Sequence, residues 1–155
     1  MEPRPIRSRM AIAGHPIHPM LIHFPVAALL GLVVVDLAYL YTQDAFWMRA
    51  GLWLAGIGAL AGWLAAAVGL IDLLTVPAIR RLITAWCHAL MAVMMLSLAS
   101  LNWLLRFKEA LPLQPWGIYL SLLTAALIAA ASVLGGQLVY GYAVGVQVGE
   151  RETES

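Results

Sequence analysis

Three of the four histidines in this 155-residue chain fall in one stretch, Gly14-His15-Pro16-Ile17-His18-Pro19-Met20-Leu21-Ile22-His23-Phe24-Pro25, which leads directly into a long apolar segment. Imidazole changes charge near neutral pH and is a common metal ligand, so this cluster is the first candidate for chemistry. Proline fixes φ and disfavours helix at the residue before it, so each His-Pro pair reads as an ordered, non-helical step. His88, Asp36 and Asp72 interrupt apolar runs further along. Ionisable groups inside such runs are costly and are functional hypotheses by default. His23 and His88 suit axial ligation of a haem iron, with Arg80 or Arg81 pairing the propionates as cations pair carboxylates. His18, His23, Asp72 and His88 suit a single transition-metal ion, and these donors do not choose among zinc, copper and iron.

The elements that must position these groups are membrane spans. Hydrophobic residues make up 63% of the chain and charged residues 11%, against ~25% charged in soluble domains. The mean hydropathy of +0.87 agrees. One domain, residues 1–155, is expected. A net charge of +1 offers no field for nucleic acid, and no binding motif for it is present. Cys87 is the only cysteine, which rules out an intrachain disulfide and covalent haem attachment through Cys-x-x-Cys-His. No serine or cysteine sits in a motif that supplies a base, so binding or electron transfer is favoured over enzymatic catalysis. The basic N-terminus resembles the start of a signal peptide. The apolar run behind it, however, exceeds the ~7–15 residues of a signal core, and the segment is read as a retained first span.

A membrane helix needs ~20 apolar residues. Four such segments run from about 20 to 41, 46 to 74, 82 to 105 and 116 to 142, flanked by short tails. The expected fold is an all-α, integral-membrane four-helix bundle. Pro19 suits a first helical position with His18 as its cap, and Pro25 should bend the first span near His23. On the second span Gly51, Ala55, Gly58, Gly62, Ala65 and Gly69 share one face by helical periodicity, with Asp72 at its edge. Gly58 and Gly62 form a small-xxx-small pair that admits a close neighbour, in the same chain or in a homo-oligomer. Thr84, His88, Met91, Ala92, Met95, Ala99 and Asn102 share a face of the third span. Gly117, Ser121, Thr124, Ala131, Ser132 and Gly135 share one of the fourth, interrupted by Ile128. Arg106, Phe107, Lys108 and Glu109 read as the start of the third loop.

Arginines 4, 7, 9, 80, 81 and 151 fall on one side of such a bundle, and Arg49, Arg106 and Lys108 on the other. The excess places both termini in the cytoplasm. His23, Asp72 and His88 then reach similar depth on that side, with His15 and His18 just outside. The first and third spans run parallel and sit diagonally, so imidazoles on them can face each other through the core. Four spans without an inverted repeat argue against a transporter. Each group also has a structural reading. The histidines could simply hydrogen-bond across helices, Asp72 could pair with Arg80 or Arg81, and the methionines and glycines could serve packing alone.

The motifs His15-Pro16-Ile17-His18-Pro19-Met20-Leu21-Ile22-His23-Phe24-Pro25, Gly69-Leu70-Ile71-Asp72-Leu73, His88-Ala89 and Gly135-Gly136-Gln137-Leu138-Val139-Tyr140, with Asp36 and Gly145-Val146, resemble the bacterial membrane-protein family called domain of unknown function 2231. The resemblance spans nearly the whole chain. It implies a four-span protein of the bacterial inner membrane and no particular chemistry. The family pattern carries a histidine at the place of Ala143, so a site built on four histidines is not implied here. The leading expectation is a bilayer-embedded protein holding one b-type haem between His23 and His88, passing electrons to quinone or a membrane redox complex. The alternatives are a transition-metal site, and a non-catalytic subunit or assembly factor whose polar cluster only fixes helix register.

Overall fold

The computed structural model describes residues 5–108 and 115–146. An extended N-terminal strap leads into a small antiparallel hairpin, β1 (Ala11–Ile12) and β2 (His15–Pro16). Then follow α1 (Ile17–Thr42), α2 (Ala45–Thr75), a single turn α3 (Pro77–Arg80), α4 (Ile83–Lys108) and α5 (Trp116–Gly136), which passes into a π-helical turn at Gln137–Gly141. Helices α1, α2, α4 and α5 with its π turn are each long and apolar enough to cross a membrane. The four-helix membrane bundle is therefore the fold. Helix α1 packs on α2 and α5, and α4 packs on the same two, so α1 and α4 are the diagonal pair.

Helix α1 starts earlier than its apolar run indicates. Pro16, not His18, holds the cap position, and Ile17 is the first helical residue. His18 and Pro19 lie in the first turn, where a missing N–H costs no hydrogen bond because those donors have no intrahelical partner anyway. The His18-Pro19 step is thus helical, and only His15-Pro16 is extended. The α1–α2 corner needs two devices. Gln43 takes a left-handed conformation (φ 56°) and its N–H returns to Tyr39 O, while the Asp44 carboxylate caps α2 by accepting from Phe46 N at 2.8 Å. Capping of this kind is worth about 1 kcal/mol.

The small-residue face of α2 is buried as its periodicity predicts. Ala55 and Ala65 are fully enclosed, Gly58 faces Leu29 of α1, and Gly62 faces Leu96 of α4 and Pro25 of α1. Met95, Leu96 and Ala99 of α4 and Ile128 of α5 complete the central core with Leu29 and Ala59. Ile128, bulky on an otherwise small face, fills that core rather than interrupting it. Ser132 departs from its expected face and is exposed. The other departure is at the end of α4. Its last turns continue through Arg106 and Phe107 instead of opening into a loop, for the reason given next. Pro112 and the charged tail from Glu150 lie outside the described residues.

Candidate functional site

At the end of the bundle where α1 begins, His18 and His88 meet. Their ring centroids are 6.2 Å apart and the planes are perpendicular. His18 Nδ1 lies 2.7 Å from Ala65 O of α2, and His88 Nδ1 lies 2.9 Å from Ala131 O of α5. A carbonyl oxygen only accepts, so both Nδ1 atoms carry the proton. A neutral imidazole in that tautomer has its lone pair on Nε2. Neither Nε2 has a hydrogen-bond partner among the described residues. No enclosed side-chain nitrogen or oxygen among them is left unsatisfied, so neither Nε2 is sealed in protein.

Glycines make room for the two rings. A Cβ at Gly69 would sit 3.0 Å from His18 Nδ1, and one at Gly135 would sit 3.3 Å from His88 Cε1. Gly69 closes the small-residue stripe of α2, and Gly135 does the same for α5. Both stripes thus have a second purpose at this end, admitting an imidazole where a methyl group would crowd it.

The structure gives the other candidates different places. His23 is exposed on α1, and the ring that faces His88 belongs to His18. His18 shares the helical face of the buried Pro25, Leu29, Leu32 and Asp36, whereas His23 is turned ~140° away from it, so His23 and His88 do not face each other as expected. His15 is exposed in the hairpin, with Nδ1 2.9 Å from Ala13 O. Asp72 binds neither Arg80 nor Arg81. Its Oδ1 accepts from Arg9 N at 2.8 Å and Met10 N at 2.9 Å, and its Oδ2 accepts from the Ser8 hydroxyl at 2.5 Å. Three donors from the strap thus hold the carboxylate in place. Among the described residues no group of three or more His, Cys, Asp or Glu side chains could hold a metal ion. Arg80 and Arg81 are exposed and have no ion-pair partner among the described residues.

The strap is also bonded to the segment that follows the π-helical turn. Ile6 N donates to Ala143 O at 3.0 Å, and Gly145 N donates to Ile6 O at 2.8 Å. Ile6 packs onto Leu73, Ile79 and Ala85 beside Leu138 and Val144. Ala143 is buried with φ 52°, an uncommon left-handed residue other than glycine.

A second polar cluster lies near the opposite end. Arg106 of α4 forms a two-pronged salt bridge with Asp36 of α1, 2.7 Å at each prong, with both side chains 10% exposed. Ser121 donates to Asp36 Oδ2 at 2.6 Å, and Arg106 Nε donates to Asn102 Oδ1 at 2.9 Å. Asn102 Nδ2 in turn donates to Ser121 Oγ at 2.9 Å. Reading Arg106 as a loop residue hid this network. The signal was available in Asp36 itself, since a carboxylate inside a span demands a partner.

No curated protein and no solved structure matches the chain. A family model does match, over a stretch that includes both imidazoles, both glycines beside them, Asp72 and Asp36. The chain belongs to the family described as predicted membrane protein (DUF2231), whose model matches residues 14–148.

Proposed function

We propose that this membrane protein holds a b-type haem on His18 and His88 and serves electron transfer within the bilayer. One observation carries the reading: both imidazoles are fixed by Nδ1–H bonds to main-chain carbonyls of neighbouring helices, with both Nε2 lone pairs left over. Ligating histidines are commonly oriented in this way, by a hydrogen bond from the other ring nitrogen. The spacing fits. Two imidazoles bound to one ion through nitrogens ~2.0–2.1 Å away have centroids ~5–6.5 Å apart, and the observed separation is 6.2 Å. The donor count favours haem over a bare ion, because a porphyrin leaves only two axial positions for protein. A tetrahedral zinc site needs three or four protein ligands, and Asp72 is committed to the strap. A bound haem would supply the redox couple, and the protein would supply ligation, orientation and an apolar surround. Quinone or a membrane redox complex is the partner class such a carrier serves.

The test is the visible spectrum and metal content of the purified protein. The expected result is a low-spin reduced-minus-oxidised haem spectrum, lost in His18→Ala and in His88→Ala and retained in His23→Ala. A colourless preparation containing a stoichiometric transition ion would move the reading to a bare metal site.

The same hydrogen bonds favour one other reading. His18 joins α1 to α2 and His88 joins α4 to α5, so the pair could act only as clasps that set helix register. A folded protein without haem or metal, whose histidine variants merely lose stability, would establish that role and exclude the ligand site.

A further inference from the structure

We propose that the strap and the α3 turn together form a binding surface for the anionic headgroups of the surrounding bilayer. Arg7 and Arg9 lie on the strap, and Arg80 and Arg81 end the α3 turn. All four are exposed, and none has an ion pair or side-chain hydrogen bond among the described residues. Tertiary structure brings the two pairs together. Ile6, next to Arg7, packs in one cluster with Ile79, next to Arg80. The Arg9 N–H is bonded to Asp72, at the end of the helix that leads into α3. Among the described residues Asp72 is the acid tied to the strap; it is 8% exposed, accepts only from the neutral Ser8 hydroxyl and the Arg9 and Met10 N–H groups, and forms no ion pair with the arginines, so its single charge leaves the four-arginine surface positive.

The depth selects the partner. The surface lies where α1 starts and where α2 ends and α4 begins, at the boundary of three apolar spans. That level is the headgroup layer, where a basic side chain contributes about fivefold in attraction to an anionic membrane. Guanidinium groups also bind phosphate oxygens in a two-pronged manner, which a diffuse positive charge cannot. Two arginines would follow from α3 alone. The strap doubles that number, and Asp72 fixes the part of it that carries Arg7 and Arg9, beyond the Ile6 contacts.

The test uses the full chain in mixed detergent micelles containing equimolar phosphatidylglycerol and phosphatidylcholine, with native mass spectrometry counting the lipids retained. The expected result is a preference for phosphatidylglycerol of at least tenfold. It should fall at least fivefold in Arg7→Gln/Arg9→Gln and, separately, in Arg80→Gln/Arg81→Gln. Asp72→Ala, which changes no arginine, should reproduce the loss seen in the strap variant. Arg49→Gln, on the helix end remote from α3, should leave the preference intact. Equal retention of the two lipids by the unaltered protein would overturn the proposal. So would a strap variant that binds phosphatidylglycerol as the unaltered protein does. The four glutamine changes lie on the exposed surface, so the result does not depend on whether Asp72→Ala folds.

Discussion

His18 and His88 stand ring to ring at 6.2 Å and 90° although they belong to helices on opposite corners of the bundle. Gly69 and Gly135 lie beside the two imidazoles, where an added methyl group would press on the rings. Gly69→Ala places a methyl group 3.0 Å from His18 Nδ1 and in close range of two further ring atoms. Overpacking of this kind costs ~1–3 kcal/mol. The expected outcome is a lower thermal midpoint in detergent, together with weakened ligand binding if the pair is a ligand site. Gly135→Ala, with its nearest approach at 3.3 Å, should have the smaller effect of the two.

The Asp36–Arg106 pair makes a sharper energetic prediction. Removing one member of a buried pair leaves the other charged and unpaired, at a cost of ~3–5 kcal/mol, whereas replacing both by apolar residues is often neutral. Arg106→Met should therefore destabilise the bundle strongly, and Asp36→Leu/Arg106→Met should recover most of the loss. Thermal unfolding of the single and double variants in detergent measures both. A double variant as unstable as the single one would show that Ser121 and Asn102 also depend on the charges.

Within the α2 stripe the two central glycines are not equivalent. At Gly58 a Cβ would meet both Cγ and Cδ2 of Leu29 at 2.6 Å, so the whole side chain must move. At Gly62 the close atom is Leu96 Cδ2, with its Cγ at 3.6 Å, and a rotation can relieve the clash. Leu29 and Leu96 are each 1% exposed, so neighbouring core side chains must take up either movement, and moving one methyl of Leu96 displaces less than moving the whole of Leu29. Gly58→Ala should lower stability by ~2–3 kcal/mol and Gly62→Ala by less, within the range for overpacked cores. Denaturation of the two alanine variants under identical conditions ranks them.

Asp72 should govern the order of the strap. Its Oδ1 holds the Arg9 and Met10 N–H groups, which then exchange only when the strap lifts. Hydrogen exchange followed by mass spectrometry should show these amides protected in the unaltered protein and fast in Asp72→Ala. Asp72→Asn keeps one acceptor oxygen and should fall between the two. Ser8→Ala removes only the hydroxyl bond to Oδ2 and should speed exchange least.

The sequence by itself determined the class, the number of spans and most of the buried faces. Membrane residence follows from composition, and the small-residue stripe of α2 follows from periodicity, because both depend on local spacing along one helix. The diagonal placement of the first and third spans was also legible, since short connections between antiparallel helices leave little choice. Tertiary structure decided which polar groups meet. The start of α1 at Ile17 rather than Met20 makes His18 helical, and at ~100° per residue His18 shares the buried face of Pro25, Leu29, Leu32 and Asp36 while His23 lies ~140° away from it. Proline makes that boundary hard to read, since at Pro19 it is compatible both with starting a helix and with lying in its first turn. Asp72 was legible as a buried acid, but its partners Ser8, Arg9 and Met10 lie in a segment with no periodic pattern of its own. Arg106 read as a loop because charge ordinarily ends a span. A carboxylate on another helix at the same depth lets the helix continue instead, and only the packed bundle brings Asp36 there.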